Sequence, residues 1–189
     1  MNLTKRVCVL SLVCAAGVAG AEEKKPPAPA AAALPTPKIP QEVVDMLKGA
    51  SGSWKCTGKN FAPDGTAVDM KATMTMKSDL DGFWVHESFA APMGKAGTYR
   101  FEAYLTYDTG QKKWRRVQVD NFGGQMAGAA AMTAMKLDMD LDGQGPMGAT
   151  KFRDHYDGSD LKTGAHSWGE ASMDAGKTWA KVYDMVCKK

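Results

Sequence analysis

The sequence predicts an all-β domain, an antiparallel up-and-down barrel of about ten strands preceded by a short helix. Apolar and polar residues alternate with a period of two in run after run beyond residue 52, as they do in strands with one buried face. Turn-forming pairs such as Asp81-Gly82 and Asp157-Gly158 separate the runs at short, near-regular intervals. No segment has the pattern of a long crossover helix, so the runs favour antiparallel pairing over a βαβ arrangement.

Residues 1–21 have the three parts of a secretory signal peptide, namely a basic start, a short apolar run, and small residues before Glu22. The run is too short to span a membrane comfortably, and no later stretch is long enough. We therefore expect a periplasmic or secreted protein with no membrane span. Cys14 lies within the run, but the residues before it fit a lipid-attachment site poorly, so lipidation is the less favoured alternative.

Residues 22–40 are rich in proline and alanine and lack the apolar periodicity of a packed element, so we expect a disordered, extended spacer. Residues 41–189 form the predicted barrel domain. The full chain has 24 basic and 21 acidic residues, and cleavage after residue 21 would remove two basic ones, Lys5 and Arg6. The mature net charge is then near zero, which gives no support for a nucleic-acid partner. We expect a monomer.

A helix is predicted over residues 41–50, where Val43, Val44 and Leu47 recur at helical spacing after Pro40. Strands follow, separated by turn signals. The second of them alternates apolar residues with charged residues and threonine without a break. The first three strands are predicted over residues 54–61, 67–77 and 83–90.

A hairpin at the middle of the chain is the clearest strand prediction. Residues 99–108 alternate strictly, and a short polar loop joins them to a second run that begins near residue 113. In this second strand Val117 and Val119 face one way, and the opposite face carries Trp114, Arg116, Gln118 and Asp120. We place Val117 on the inner face, among the residues expected to line the lumen.

Residues 125–134 are mostly alanine, glycine and methionine, which have the propensity for a helix. We interpret them as a strand, because Gly123, Gly124 and Gly128 would break a helix. The small side chains of such a strand would leave room inside a barrel. The remaining strands are predicted over residues 135–141, 147–156, 161–172 and 179–187.

Cleavage would leave two cysteines, Cys56 and Cys187, in a chain bound for an oxidising compartment, so we expect them to form a disulfide. The bond would join the first and last strands, which are neighbours if the sheet closes. A closed barrel is therefore favoured over a two-layer sandwich, the alternative architecture. In the chain-closure model, a loop of this length loses about 4–5 kcal/mol of unfolded-state entropy.

Several short motifs occur in an order that resembles a known family. They are Gly52-Ser-Trp-Lys-Cys-Thr-Gly58, Tyr107-Asp108 with Lys113-Trp114, residues 119–124 (VDNFGG), Arg153-Asp154 and Cys187-Lys188. Together they resemble a family of secreted bacterial proteins classed only as a domain of unknown function. That family is similar in outline to the calycins, which include lipocalins and nitrobindin-like haem barrels. The resemblance spans residues 41–189 and implies a barrel with an internal cavity, but it transfers no site residue.

Three functional classes remain open. The first is a carrier or sensor of a small apolar ligand, since the inward-facing residues are rich in Met, Val, Leu, Phe and Tyr. The second is a cell-envelope interaction module with a filled core, because methionine is also adaptable packing material. The third and least favoured is an enzyme or a haem-binding barrel. The residues expected to line a ligand site are Met70, Met74, Glu87, Phe101, Leu105, Val117, Asn121, Met139, Asp154 and Glu170, of which the polar members would orient the ligand.

The sequence gives no support for a catalytic, metal or cofactor site. His86, His155 and His166 are not paired at helical spacing, so a zinc or haem site would need a long-range coincidence. Nucleophile-elbow, HExxH and P-loop motifs are absent from the sequence, and we expect a protein that is not an enzyme. Residues 138–143 (DMDLDG) match the opening of a calcium loop, but Ala149 occupies the position that needs glutamate. We therefore expect the three aspartates of this stretch to form a solvated face.

Overall fold

The computed structural model of the protein describes residues 36–146 and 148–189. The predicted signal peptide and most of the predicted spacer lie outside the described residues. The helix α1 spans Gln41–Ala50, as the sequence predicts. It begins after Pro40, whose fixed φ suits the start of a helix. Among the described residues, no helix is long and apolar enough to cross a membrane.

Strands account for most of the rest of the described chain. Each is antiparallel to its neighbours, and turns or short loops connect them. The strands are β1 Gly52–Phe61, β2 Ala67–Asp79, β3 Trp84–Pro92, β4 Thr98–Asp108, β5 Lys113–Asp120, β6 Gln125–Ala130, β7 Met132–Thr133, β8 Lys136–Gly145, β9 Gly148–Asp157, β10 Ala165–Ser172 and β11 Ala180–Lys188.

The sheet closes on itself and confirms the predicted fold class. Strand β1 pairs with both β2 and β11, and the order continues through β6 on one side and β8 on the other. Pairing of β6 with β8 completes a barrel of ten strands, and the two-residue β7 lies beside β8. The pairing of β6 with β8, the seam of the barrel, requires glycine at position 128. A Cβ on Gly128 would lie 2.1 Å from the backbone oxygen of Asp140.

The predicted disulfide between Cys56 and Cys187 is present. The two residues are opposite each other on β1 and β11, with their Cα atoms 4.0 Å apart and both side chains fully buried. The bond therefore joins the first and last strands of a closed sheet, as expected from the sequence.

Helix α1 covers one end of the barrel. Its Val43 is fully buried and packs with Val85 and Leu105 inside the barrel. The indole Nε1 of Trp54 donates a hydrogen bond of 2.8 Å to the backbone oxygen of Ala50, which fixes the end of the helix to strand β1. The helix thus buries its apolar side and closes this end of the lumen.

Two predicted strands differ in detail from the structure. Residues 161–164 form a turn, because the carboxylate and backbone oxygen of Asp160 accept hydrogen bonds from the residues that follow, and Gly164 has a φ of 126°. The predicted strand 125–134 is divided into β6 and β7, which keep one register along β8. It ends where Ala134 and Met135 adopt positive φ angles.

The predicted orientation of strand β5 is wrong. Val117 and Val119 face outward, with 46% and 57% of their surface exposed, whereas Trp114, Arg116 and Gln118 are buried. The interior of the barrel accepts the polar pair because their charged and hydrogen-bonding groups meet partners there. Trp114 provides the largest apolar side chain of the strand, and its burial decides which face turns inward.

Candidate ligand-binding cavity

The barrel encloses a cavity of about 580 Å³. Its wall is mostly apolar, and ten of the chain's 13 methionines contribute to it. Helix α1 supplies Met46 and Ala50, while Phe61, Met93 and Phe122 come from the opposite end of the barrel. Met93 and Phe122 are 44% and 50% exposed, so the lining extends to the barrel surface at the end away from the helix.

Most of the ligand-binding residues predicted from the sequence line this cavity. They are Met70, Met74, Glu87, Phe101, Leu105, Met139 and Asp154. Three predicted residues do not. Val117 faces outward, and Glu170 lies 3.9 Å from the Nε2 atom of His155, which is also outside the cavity lining. Asn121 fastens a loop instead, since its Oδ1 accepts from the backbone nitrogen of Arg100 and its Nδ2 donates to the backbone oxygen of Thr98.

A cluster of polar side chains lies within the apolar wall, centred on Arg116. The guanidinium donates a hydrogen bond through Nη1 to the carboxylate of Asp154 and another of 2.8 Å through Nη2 to Oε1 of Gln118. Nη2 also lies 3.3 Å from Oε2 of Glu87. The side chains of Arg116 and Glu87 are both only 9% exposed. Strands β3, β5 and β9 therefore bring one cation and two carboxylates together inside the barrel.

Strands β10 and β11 add neutral members to the polar cluster. The hydroxyl of Tyr183 donates a hydrogen bond to Oδ1 of Asp154, and it lies 3.2 Å from the hydroxyl of Ser167. Ser167 in turn donates a hydrogen bond of 3.1 Å to the backbone oxygen of His155. Both oxygens of the Asp154 carboxylate are thus used, one by Arg116 and one by Tyr183.

One buried donor of the cluster lacks a hydrogen-bond partner among the described residues. The Nε atom of Arg116 is buried and has no hydrogen-bond partner among the described residues. Its guanidinium carbon lies 5.4 Å from the centre of the Phe101 ring, a cation–π distance. A buried donor without a partner costs about 1–3 kcal/mol, and more when the group is charged. An acceptor supplied by a bound molecule would remove that cost.

Burial shifts the acid–base properties of the cluster. The pKa of Glu87 is raised because desolvation disfavours its ionised form more than Arg116 favours it. Burial and the neighbouring Asp154 also raise the pKa of Tyr183 well above its usual value, so its hydroxyl stays protonated. For Arg116, burial acts to lower the pKa, but Glu87 and Asp154 outweigh it and the pKa is raised.

Sequence reasoning missed Arg116, Gln118, Ser167 and Tyr183 as members of the site. The available signal was on β5, where Arg116 and Gln118 share the face of Trp114. A large aromatic residue that alternates with the two polar residues indicates that this face is buried, and buried polar groups need partners. No comparable signal marks Ser167, because small polar residues occur on both faces of strands.

The three histidines lie outside the cavity lining and contact carboxylates. His86 Nε2 is 2.6 Å from Glu102, His155 Nδ1 is 2.6 Å from Asp138, and His166 Nε2 is 2.8 Å from Asp184. None of the three is among the cavity-lining residues. Each histidine is therefore held by a carboxylate outside the lumen.

The aspartates of the calcium-like stretch also have partners. Asp138, Asp140 and Asp142 are exposed on β8, and each carboxylate contacts the side chain of the residue opposite it on β9. Within residues 36–146 and 148–189, no group of three or more histidine, cysteine, aspartate or glutamate side chains is arranged to hold a metal ion. The three aspartates form the predicted solvated face.

The fold and the cavity define the class of protein, a closed ten-stranded antiparallel barrel with an internal, mostly apolar cavity. Residues 39–189 match the family described as "Protein of unknown function (DUF1579)", and the chain belongs to this family. The finding confirms the expected match to a family of unknown function.

A solved structure has a similar fold. It is described as "Crystal Structure of Rv2717c from M. tuberculosis", and it is 12% identical to this chain with a TM-score of 0.57. The similarity covers 80% of this chain and 99% of the other. At this identity the likeness shows the fold alone. A search of curated proteins found no match to this chain.

Proposed function

We propose that this protein binds a small apolar ligand in the barrel lumen, as a carrier or sensor and not as an enzyme. The observation that carries the proposal is the cavity of about 580 Å³, which falls within the range of small-molecule sites and has a mostly apolar wall with one polar cluster. Empty apolar space costs roughly 24 cal/mol per Å³ by calibration on cavity mutants. A ligand that fills the space would recover much of that cost.

The two alternative functions receive less support. An interaction module with a filled core would leave no cavity of this size inside the barrel. Haem binding through a histidine would require an imidazole in the lumen, and His86, His155 and His166 are all outside the cavity lining. For an enzyme, the groups of the polar cluster are mainly engaged with one another, which leaves no candidate nucleophile and base pair.

We also propose that the protein is exported. The predicted signal peptide at residues 1–21 and the disulfide between Cys56 and Cys187 support this location, because disulfides persist in oxidising compartments. The up-and-down strand order and the enclosed lumen support a calycin-like type of barrel. Both features suit a protein that carries apolar molecules through an aqueous compartment.

The test is binding of a neutral, environment-sensitive fluorophore, N-phenyl-1-naphthylamine, with native mass spectrometry of the protein isolated without denaturation. We expect saturable fluorescence, displaced by at least one member of a panel of fatty acids, isoprenoids and their esters. The variant Ala91→Phe should weaken probe binding by at least tenfold, because Ala91 lines the cavity. Ala90→Phe is the matched control, since Ala90 is the next residue on β3 and is not part of the lining. No binding of probe or panel, with a native mass equal to the bare chain, would contradict the proposal.

A further inference from the structure

We infer that the cavity selects an uncharged molecule whose polar end accepts a hydrogen bond, such as an ester, amide or ketone, over a fatty acid anion or an amine. The inference rests on the proposed function and specifies the chemical class of its ligand. It follows from the balance of charges and of hydrogen-bond donors inside the barrel.

The charge balance excludes an anionic head group. Among the described residues that line the cavity, the charged ones are Glu87, Arg116 and Asp154. One guanidinium faces two carboxylates, so the cluster carries no net positive charge in either protonation state of Glu87. A ligand carboxylate would meet a cation already paired with Asp154, and it would lie near the oxygens of both acidic side chains. Like charges repel strongly where water is excluded.

The donor balance favours an acceptor over an amine. Arg116 Nε has no partner among the described residues, and an ammonium group has no lone pair to offer it. Oε1 of Gln118 already accepts from Arg116, so the amide nitrogen, a donor, is the part of that side chain left for another partner. A carbonyl oxygen would satisfy such donors without adding a charge.

The acid–base state of Glu87 points in the same direction. Burial raises the pKa of this carboxyl group, which favours its protonated form. A protonated Glu87 is a further hydrogen-bond donor, and the remaining ion pair of Arg116 with Asp154 is neutral as a unit. An uncharged acceptor is compatible with this arrangement, whereas an ionised head group requires a second desolvated charge.

The apolar body of the ligand has a place beside the polar cluster. Phe101 lies under the guanidinium of Arg116, and its ring stacks on Phe89 at 4.9 Å. Met70 and Met74 also line the cavity and pack in the same apolar cluster as Phe89. Polar and apolar side chains of the cavity wall are therefore in direct contact beside Arg116. A ligand with a small neutral polar head and an apolar body would match this arrangement.

The experiment compares four ligands with the same chain length, namely methyl dodecanoate, sodium dodecanoate, dodecylamine and dodecane. Each displaces N-phenyl-1-naphthylamine from the purified, disulfide-bonded protein at pH 7. We expect the ester to bind at least tenfold more tightly than dodecanoate or dodecylamine, and more tightly than dodecane. The variant Glu87→Gln should reduce the preference for ester over dodecanoate by at least threefold, because the amide cannot ionise and so cannot repel an anionic head group as the ionised form of Glu87 does. Glu102→Gln, which changes the same residue type outside the cavity, should leave the preference unchanged.

The outcomes separate this inference from the proposed function. Equal or tighter binding of dodecanoate overturns the inference while leaving a ligand-binding barrel. Tightest binding of dodecylamine overturns it in the same way, and so does a preference that Glu87→Gln and Glu102→Gln change equally. If the probe itself and all four compounds fail to bind, the proposed function fails and the inference fails with it.

Discussion

Strand β9 carries charged residues on both of its faces, and the two sets lie in different surroundings. Asp154 faces the lumen with a side chain 16% exposed, whereas its neighbours Arg153 and His155 pair with Asp140 and Asp138 on the outside. The Asp140 carboxylate is 83% exposed. Neighbouring residues of β9 therefore belong to two different groups. One is the buried cluster, and the other is the outer ladder, a solvent-exposed row of paired side chains between β8 and β9.

The outer ladder pairs residues across one hairpin. Three residues of β8 meet partners of opposite charge directly across on β9: Lys136 with Asp157, Asp140 with Arg153, and Asp142 with Lys151. Asp138 contacts the imidazole of His155 in the same register. The inner cluster has one cation for two carboxylates, and it is collected from β3, β5 and β9, which are not adjacent. The ladder thus depends on the register of one hairpin, whereas the cluster depends on closure of the whole barrel.

The largest effect should come from Arg116→Met, which removes the only cation of the cluster found in the described lining. Two buried carboxyl groups then lose their partner, which typically costs about 3–5 kcal/mol. We expect the free energy of unfolding to fall by that amount in urea denaturation. Arg115→Met is the matched control, because Arg115 faces outward on the same strand and lies 3.4 Å from Asp108.

For Arg115→Met the expected loss is at most about 1 kcal/mol, the usual range for exposed ion pairs. Equal losses for the two variants would show that burial does not distinguish the cluster from surface charges.

The next effect tests whether barrel closure supports the cluster. Gly128→Ala should destabilise the protein by about 1–3 kcal/mol, because its Cβ would lie 2.1 Å from the Asp140 backbone oxygen and would force β6 and β8 apart. Binding of the fluorescent probe should weaken as well, while the β8–β9 hairpin keeps its ladder. Gly110→Ala is the control, since its Cβ would meet only the flexible carboxylate of Asp108 at 3.3 Å. Unchanged stability for Gly128→Ala would mean that the seam can adjust.

The contrast between ladder and cluster also explains what the sequence could predict. Alternation along β8 was enough to place Asp138, Asp140 and Asp142 on the solvent face, because the apolar residues between them have to be buried. The strand order and the disulfide followed from similar local patterns and from an even cysteine pair. Local patterns of this kind need no knowledge of distant strands.

Strand β5 shows why the rest could not be predicted. Its two faces offer Val117 and Val119 against Arg116 and Gln118, so polarity alone points to the wrong face. Trp114 favours burial of the other face, and that face can be buried because Glu87 and Asp154, on strands far away in sequence, provide partners for Arg116. A period of two shows which residues of a strand share a face. It does not show which face is buried when the partners of its polar residues lie on other strands.

A smaller effect concerns pH and Glu87. The folded state raises the pKa of Glu87 above the usual 4.5. Below pH 4.5, this group therefore makes its full stabilising contribution to the free energy of unfolding. Its contribution is lost as the pH rises through the raised, folded pKa, with a slope of at most about 1.4 kcal/mol per pH unit. Glu87→Gln should therefore flatten the dependence of unfolding free energy on pH above 4.5. Asp140→Asn, an exposed control, should leave this part of the curve parallel to that of the original protein. A curve for Glu87→Gln that is also parallel would contradict the raised pKa.

The smallest effect is expected on the ladder itself. The Lys151 ammonium lies 2.5 Å from the Asp142 carboxylate, but the two side chains are 48% and 78% exposed, so water and salt screen their attraction. Asp142→Lys would place two lysine side chains directly opposite and should cost roughly 0.5–1 kcal/mol at low salt. The double variant Asp142→Lys with Lys151→Asp restores opposite charges and should recover most of that loss. At 1 M sodium chloride, all three proteins should unfold at nearly the same urea concentration, because the Debye length is only about 3 Å. A loss of several kcal/mol that persists at high salt would show that the ladder, like the cluster inside, is held by interactions that solvent does not reach.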